Sequence, residues 1–111
     1  MCTFGGYSRI KKSKEISSLI RSGQNFKGKT LSIYYSKKEY EFHRFAVLVG
    51  KKHGSAVVRN RLKRILRAII QKINLEGIPP LDILLLPSKE KIYTSKEYSE
   101  TYAKWKNSLS G

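Results

Sequence analysis

Residues 55–67 read SAVVRNRLKRILR, a segment with five cationic side chains and no acidic one. Between Glu41 and Glu76 the chain has nine lysines and arginines and again no acidic residue. Guanidinium groups donate forked hydrogen bonds to phosphate oxygens and stack on planar bases. Such a segment is typical of a surface that binds a polyanion. Nucleic acid is the first candidate partner, and an anionic membrane surface is the second.

Hydrolytic chemistry by the protein itself is disfavoured by the acidic and histidine residues. Two-metal cleavage of a phosphodiester needs clustered carboxylates. Asp82 is the one aspartate, and the glutamates are scattered beside lysines. His43 and His53 are isolated in sequence, although a histidine pair could in principle cleave RNA without metal. We predict no catalytic residue, no metal site and no cofactor bound by the protein, and we expect His53 to add a phosphate donor.

The totals for the whole chain favour one folded, basic domain over residues 1–111. The 23 lysines and arginines against 8 acidic residues give a formal charge of +15, and 40% of the residues are hydrophobic. The apolar run at residues 83–86 is far shorter than the roughly 20 residues that span a bilayer, so we expect no membrane partner. Cys2 is the single cysteine, which excludes an internal disulfide and indicates a reducing, cytoplasmic location.

Hydrophobic periodicity predicts helices and strands that alternate along the chain. Gly23 should end the first helix in a left-handed conformation, and residues 37–43 should form a charged hairpin connection. The strand–helix–strand unit from Phe45 to Leu86 should place two strands parallel in one sheet. The last helix should open on the capping box Thr94-x-x-Glu97, and Trp105 on it should pack internally. The predicted elements are a helix over 13–22, strands over 30–35 and 44–50, a helix over 55–74, a strand over 82–87 and a helix to about residue 108, with a further strand possible within 24–43.

The helix predicted over 55–74 separates apolar residues from cations. One face collects Val58, Leu62, Ile65, Leu66, Ile69 and Ile73. Arg59, Lys63 and Arg67 form a stripe at four-residue spacing; Asn60 and Arg64 lie beside it, and Arg61 lies roughly opposite the apolar face. Like charges at this spacing repel, and a face that is merely solvated would mix signs. The stripe therefore indicates a phosphate-binding surface, which Lys51 and Lys52 extend toward the helix N-terminus.

This region resembles the signature of the bacterial ribonuclease P protein family. The resemblance consists of a Lys-Lys pair, a glycine and a spaced Ala-Val-x-Arg-Asn-Arg-x-Lys-Arg-x-x-Arg pattern. The matching residues are Lys51, Lys52, Gly54, Ala56, Val57, Arg59, Asn60, Arg61, Lys63, Arg64 and Arg67. The segments RIKKSKEISSLIRSG, LSIYY and DILLLP resemble the family's first helix, its first strand and the strand after its central helix. The resemblance therefore covers nearly the whole chain.

The resemblance implies an α+β fold, a small mixed sheet packed with about three helices in the order α-β-β-(β)-α-β-α. It also implies a left-handed βαβ crossover, as in the ribosomal protein S5 domain 2-like fold, against the usual right-handed rule. The implied function is that of the protein subunit of ribonuclease P, which binds the catalytic RNA and the 5′ leader of precursor tRNA and assists removal of the leader. The RNA subunit would use Mg²⁺ for hydrolysis, and no further protein partner would be required.

The resemblance also assigns roles to individual residues. The RNA-binding set is Lys51, Lys52, Arg59, Asn60, Arg61, Lys63, Arg64 and Arg67. The leader cleft would be lined by Ile16, Ile20, Tyr34, Arg59, Lys63 and Arg67. On the helical wheel Arg61 and Arg64 point further round the helix, and our hypothesis is that they face the catalytic RNA. The family often has aromatic residues where Ile16 and Ile20 stand, so these two could instead be core residues. Tyr34 could stack on an unpaired base or simply span an edge of the sheet.

Two other binding proteins remain as alternatives. A basic, ribosomal-type structural RNA-binding protein would explain the charge but not the ordered signature. A DNA-binding regulator would need base-reading side chains among the cations, and Asn60 and Gln71 are the candidates on the exposed surface.

Overall fold

A computed structural model of the chain describes residues 3–4, 7–10, 13–37, 43–73, 75, 78–89 and 91–110. Within these ranges it contains three helices, six strands and one 3-10 turn at Lys51–His53. The helices are α1 (Ser13–Ser22), α2 (Ala56–Lys72) and α3 (Ser95–Ser110). The strands are β1 (Thr3–Phe4), β2 (Tyr7–Arg9), β3 (Gln24–Lys27), β4 (Leu31–Lys37), β5 (Arg44–Val47) and β6 (Leu81–Pro87).

The strands form one mixed sheet in the order β1-β2-β5-β6-β4-β3. β5 and β6, which α2 connects, are parallel, with Phe45 opposite Ile83. β4 and β6 are antiparallel, with Ile33 opposite Leu85. The predicted parallel pair and the α+β class are therefore confirmed, and β3 is the further strand within residues 24–43. The left hand of the crossover stays a prediction.

Two features of the sheet differ from the sequence prediction. The N-terminal strands β1 and β2 were not predicted, because strands of two and three residues are too short to show alternation. The predicted hairpin between β4 and β5 is wrong, since β6 lies between these strands in the sheet. Residues 38–42 of that connection lie outside the described residues. The residues of β6 that pair with β4 lie 44 to 56 positions further along the chain, so no local signal indicates this neighbour.

The sheet has a different hydrophobic cluster on each face, because successive side chains of a strand point to opposite faces. Ile83 and Leu85 of β6 belong to the main core, whereas Leu84 belongs to a second cluster. The main core contains side chains from α2 and α3, among them Trp105, whose ring centroid lies 5.5 Å from that of Tyr35. The second cluster is Ile10, Leu19, Ala46 and Leu84, with Ile16 and Tyr34 packed against it. Hence α2 and α3 cover one face and α1 covers part of the other.

The helix ends follow from local hydrogen bonding. Ser55 precedes α2 and its side chain accepts from the backbone N–H of Val58 at 3.4 Å. The capping box before α3 is confirmed, since Thr94 N–H donates to Glu97 Oε1 at 3.1 Å and Glu97 N–H donates to Thr94 Oγ1 at 3.2 Å. The hydrogen bonds from the backbone and hydroxyl of Thr94 lower the pKa of the Glu97 carboxyl.

The prediction that Gly23 is left-handed is wrong, because Gly54 is the one described residue with a positive φ, at 127°. Gly23 is instead required by a close approach. A Cβ at this position would lie 2.6 Å from the carbonyl oxygen of Leu19 and 3.1 Å from that of Tyr35. The chain passes directly from α1 into β3 here, so a glycine lets the two backbones meet.

The buried imidazole of His43 makes the stability of the fold depend on pH. The backbone N–H of Leu81 donates to His43 Nδ1 at 3.2 Å. Burial lowers the pKa of His43 below its ordinary value of 6.5, although hydrogen bonds with the backbone of Leu75 and Ile78 act in the opposite direction. The folded protein therefore favours the neutral ring.

Because the folded pKa of His43 is depressed, its contribution to stability is complete above the unfolded pKa of about 6.5 and is lost as the pH falls through the folded pKa. The variant His43→Asn keeps an acceptor near Nδ1 and does not titrate. We expect the thermal midpoint of the wild type to fall more steeply than that of the variant between about pH 7 and pH 5. Circular dichroism melts measure both slopes, and equal slopes would contradict the prediction.

Candidate nucleic-acid interface

Helix α2 joins a buried apolar side to an outward cationic side. Leu62, Leu66, Ile69 and Ile70 are buried in the main core. On the outward side, Asn60, Arg61 and Arg64 are exposed, whereas the stripe Arg59, Lys63 and Arg67 is half-buried at the flank of the helix. The structure thus places all the predicted RNA-binding side chains of α2 on its outward side. It also shows that the three residues of the stripe are less exposed than the other three.

The described acidic side chains are largely engaged away from α2. Glu15 and Asp82 both pair with Arg44, and Glu97 caps α3. The Nε atom of Arg59 is buried and has no hydrogen-bond acceptor among the described residues. A buried donor without an acceptor costs free energy, which the packing of α2 on the core must offset.

A shallow groove of about 490 Å³ runs along α2. It is lined by Asn60, Lys63, Arg64, Arg67, Ala68 and Gln71. The groove brings Arg64 together with Lys63 and Arg67, whereas Arg61 is not among its lining residues. The helical wheel had grouped Arg64 with Arg61 instead. Three cations beside one groove can bind successive phosphates of a nucleic-acid strand, with amide groups available for polar contacts.

The basic 3-10 turn precedes α2 and presents Lys51 and Lys52 to solvent. The expectation that His53 donates to phosphate is wrong, because this side chain is 5% exposed and both ring nitrogens bind backbone groups. Val57 was not predicted as a surface residue of interest, yet it is 78% exposed beside this turn. An apolar side chain exposed among cations can pack against a ribose or a base.

The remaining residues of the predicted leader cleft lie on the other face of the sheet. Tyr34 and Ile16 are half-buried against the second cluster, as core residues would be, and Ile20 is 41% exposed. Tyr34 does not span a sheet edge, since β4 is flanked by β3 and β6. The structure therefore does not bring Tyr34, Ile16 and Ile20 together with the stripe of α2. A nucleic-acid strand that contacted both these three side chains and the stripe of α2 would have to pass around an edge of the sheet.

An ion cluster that sequence reasoning missed positions α1 on the sheet. Arg44 donates from Nε to Asp82 Oδ1 at 2.8 Å and from Nη2 to Asp82 Oδ2 at 2.7 Å, and it also bonds to Glu15 of α1. The hydrogen bonds to Asp82 raise the pKa of Arg44. Asp82 is buried at 1% exposure, so its carboxylate has a structural role. Arg44 and Asp82 are cross-strand neighbours 38 residues apart, and this separation hides the pair from a reading of the sequence.

The described part of the chain contains no group of three or more histidine, cysteine or acidic side chains arranged to bind a metal ion. Within the same ranges, each helix is too short or too polar to cross a bilayer.

Comparison with known proteins identifies relatives of one kind. A family model described as Ribonuclease P matches residues 4–110. The ribonuclease P protein component of Oceanobacillus iheyensis is 39% identical over 79 residues, which are 70% of this chain and 65% of that protein. The corresponding protein of Phytoplasma australiense is 33% identical over 102 residues, covering 90% of this chain and 89% of the relative. The match spans slightly less than two thirds of the Oceanobacillus protein and of the Syntrophomonas wolfei protein, at 65% and 66%.

Solved structures show the same fold. The RNase P protein of Staphylococcus aureus superposes with a TM-score of 0.74 at 25% identity, over 86% of this chain and 89% of that chain. The RNase P protein from Thermotoga maritima superposes with a TM-score of 0.78 at 22% identity, over 94% of this chain and 99% of that chain.

If about six to eight cations meet phosphates, the affinity for RNA should fall by about three orders of magnitude between roughly 50 and 200 mM salt. Replacing Arg64 with alanine should reduce the slope of log affinity against log salt by about one. The matched control is Lys104→Ala, which removes the same charge from the exposed surface of α3 and should leave the slope unchanged. Fluorescence anisotropy with a labelled RNA measures these slopes. A shallow slope for the wild type, or equal reductions in both variants, would refute the assignment.

Proposed function

The chain belongs to the ribonuclease P protein family, and from that premise we propose that it is the protein subunit of ribonuclease P. In this role it binds the catalytic RNA and assists endonucleolytic removal of the 5′ leader from precursor tRNA. The observation that best supports this proposal is the arrangement of α2. The signature cations occupy its outward side, and its apolar side is buried in the core. A cytoplasmic location follows from this role, and no other protein partner is required.

We further propose that the RNA subunit carries out the hydrolysis with bound Mg²⁺, while the protein contributes binding energy. Four of the described polar groups that could do chemistry support this division. Asp82 and Glu15 are bonded to Arg44, and the rings of His43 and His53 are bonded to backbone groups. Side chains engaged in this way are unavailable to activate water or to bind two metal ions.

The two sides of α2 would serve different RNA molecules. Lys63 and Arg67 share the groove along α2, which suits a single strand such as the precursor leader. Arg61 is exposed outside that groove, and together with Lys51 and Lys52 it would contact the catalytic RNA. Tyr34 and Ile20 remain proposed leader contacts. Since α2 lies close to β1, a leader reaching Tyr34 from α2 would pass the β1–β2 edge of the sheet.

Charge reversals should separate these two roles. Lys63→Glu should weaken the affinity for precursor tRNA relative to mature tRNA, because it places an acidic group in the groove. Arg61→Glu should weaken assembly with the RNA subunit and leave the preference for precursor less affected. Each variant changes the charge by the same amount, so each is the control for the other. Titration of the RNA subunit with each variant measures assembly. Titration of the assembled holoenzyme with precursor and with mature tRNA measures the preference for precursor. If both variants changed the two quantities equally, the proposed separation of roles would be refuted.

The proposal as a whole is tested by reconstitution. Adding the purified chain to a bacterial ribonuclease P RNA at low magnesium should stimulate cleavage of precursor tRNA, whereas the chain alone should cleave nothing. Gel electrophoresis of end-labelled precursor follows the reaction. Binding without stimulation would favour a ribosomal-type structural protein, and cleavage by the chain alone would contradict the assignment of catalysis to RNA.

A further inference from the structure

The imidazole of His53 connects the basic turn to the sheet. His53 ends the 3-10 turn at Lys51–His53, and its side chain is almost completely buried. The backbone N–H of Gly50 donates to His53 Nδ1 at 3.0 Å, and His53 Nε2 lies 2.9 Å from the carbonyl oxygen of Pro87. One ring therefore bonds to the residue directly before the turn and to the last residue of β6.

The hydrogen bonds determine the tautomer of this ring. A backbone N–H can only donate and a carbonyl can only accept, so the neutral tautomer with its proton on Nε2 fits both bonds. Nδ1 also lies 3.3 Å from the carbonyl oxygen of Gly50, which is longer than its 3.0 Å contact with the N–H of Gly50. Nε2–H then donates to the carbonyl of Pro87. The neutral ring satisfies both of its nitrogens and has no donor left for a ligand.

The turn that His53 stabilises presents the two lysines directly before α2. Backbone hydrogen bonds from His53 to Gly50 and from Gly54 to Lys51 close the turn itself. They do not attach it to the sheet. That attachment comes from His53, from Val49, which packs against the main core, and from the backbone N–H of Leu48, which donates to the carbonyl oxygen of Leu85 at 3.0 Å before the turn begins. A lysine has many rotamers, and a mobile backbone beneath it would add to the entropy lost when it binds a phosphate.

We propose that His53 is a positioning residue for RNA binding, which orients Lys51 and Lys52 beside the cations of α2 without touching RNA. The inference rests on the proposed function, because it assumes that these lysines meet phosphates. In this inference His53 fixes the geometry of the RNA-binding surface, whereas Lys51 and Lys52 supply positive charge to that surface. The alternative is that His53 only stabilises the fold.

The test compares variants that keep or remove the two hydrogen bonds. His53→Leu fills a similar volume and removes both, and His53→Gln keeps one acceptor and one donor at similar spacing. Each variant is also made with Lys51→Ala and Lys52→Ala. Circular dichroism confirms folding, and the affinity for ribonuclease P RNA is measured over a range of salt concentrations.

If His53 acts through the lysines, H53L should lose affinity by about tenfold and reduce the salt slope by about one to two units. H53Q should restore most of both. In the background that lacks both lysines, H53L should cause no further loss of affinity, since a positioning residue has nothing left to position. If H53L does not fold, His53→Asn replaces it in the same comparison with and without the two lysines. Asparagine keeps an acceptor for the N–H of Gly50 but is too short to reach Pro87.

An unchanged salt slope in H53L, or an equal loss of affinity with and without the lysines, would overturn the inference and assign His53 to the fold alone. The wild-type chain must stimulate the ribonuclease P RNA in parallel. If it does so while H53L behaves like wild type, the inference fails and the proposed function stands. If the wild type neither binds nor stimulates, the proposed function fails first.

Discussion

The packing of α2 on the sheet is the interaction on which the rest of this molecule depends. Like charges at four-residue spacing cost a helix about 0.2–0.5 kcal/mol for each pair. Burial of one leucine or isoleucine side chain contributes about 1.5–3 kcal/mol. Leu62, Leu66, Ile69 and Ile70 are buried beneath the helix, so packing outweighs the repulsion by a wide margin. The fold can therefore concentrate positive charge on one side of α2.

The polar residues inside the molecule support that surface. Arg44 connects Asp82 of the sheet with Glu15 of α1, and His43 and His53 bond to backbone groups near the start and end of β6. A buried charge or imidazole is costly unless it is fully bonded. These residues meet that condition, because their hydrogen bonds within the fold are satisfied. Their role is therefore to stabilise the structure. This structural use of the described acidic and histidine side chains supports the proposal that the RNA subunit, and not the protein, carries out the hydrolysis.

Local patterns were enough to predict much of the fold. The periodicity and the cap of α2, the buried strand β6 and the capping box before α3 all depend on residues within one or two turns of one another. The insertion of β6 between β4 and β5 depends on pairs of residues that are 38 or more positions apart, and the Arg44–Asp82 pair depends on that insertion. Gly5-Gly6 is a hairpin signal that could have indicated β1 and β2. A helical wheel orders the cations around α2, but it cannot show that Tyr34 lies on the opposite face of the sheet. His53 was misjudged because it follows two lysines in sequence, whereas its ring points inward.

The central claim is that the outward side of α2, with the turn before it, is where this protein meets RNA. Photo-cross-linking of the full chain to a bacterial ribonuclease P RNA, followed by mass spectrometry of the linked peptides, tests it most directly. The account predicts that cross-links concentrate within residues 51–67 and decline as salt is raised. Cross-links confined to α3 or β3, with the peptides of α2 unmodified, would contradict it.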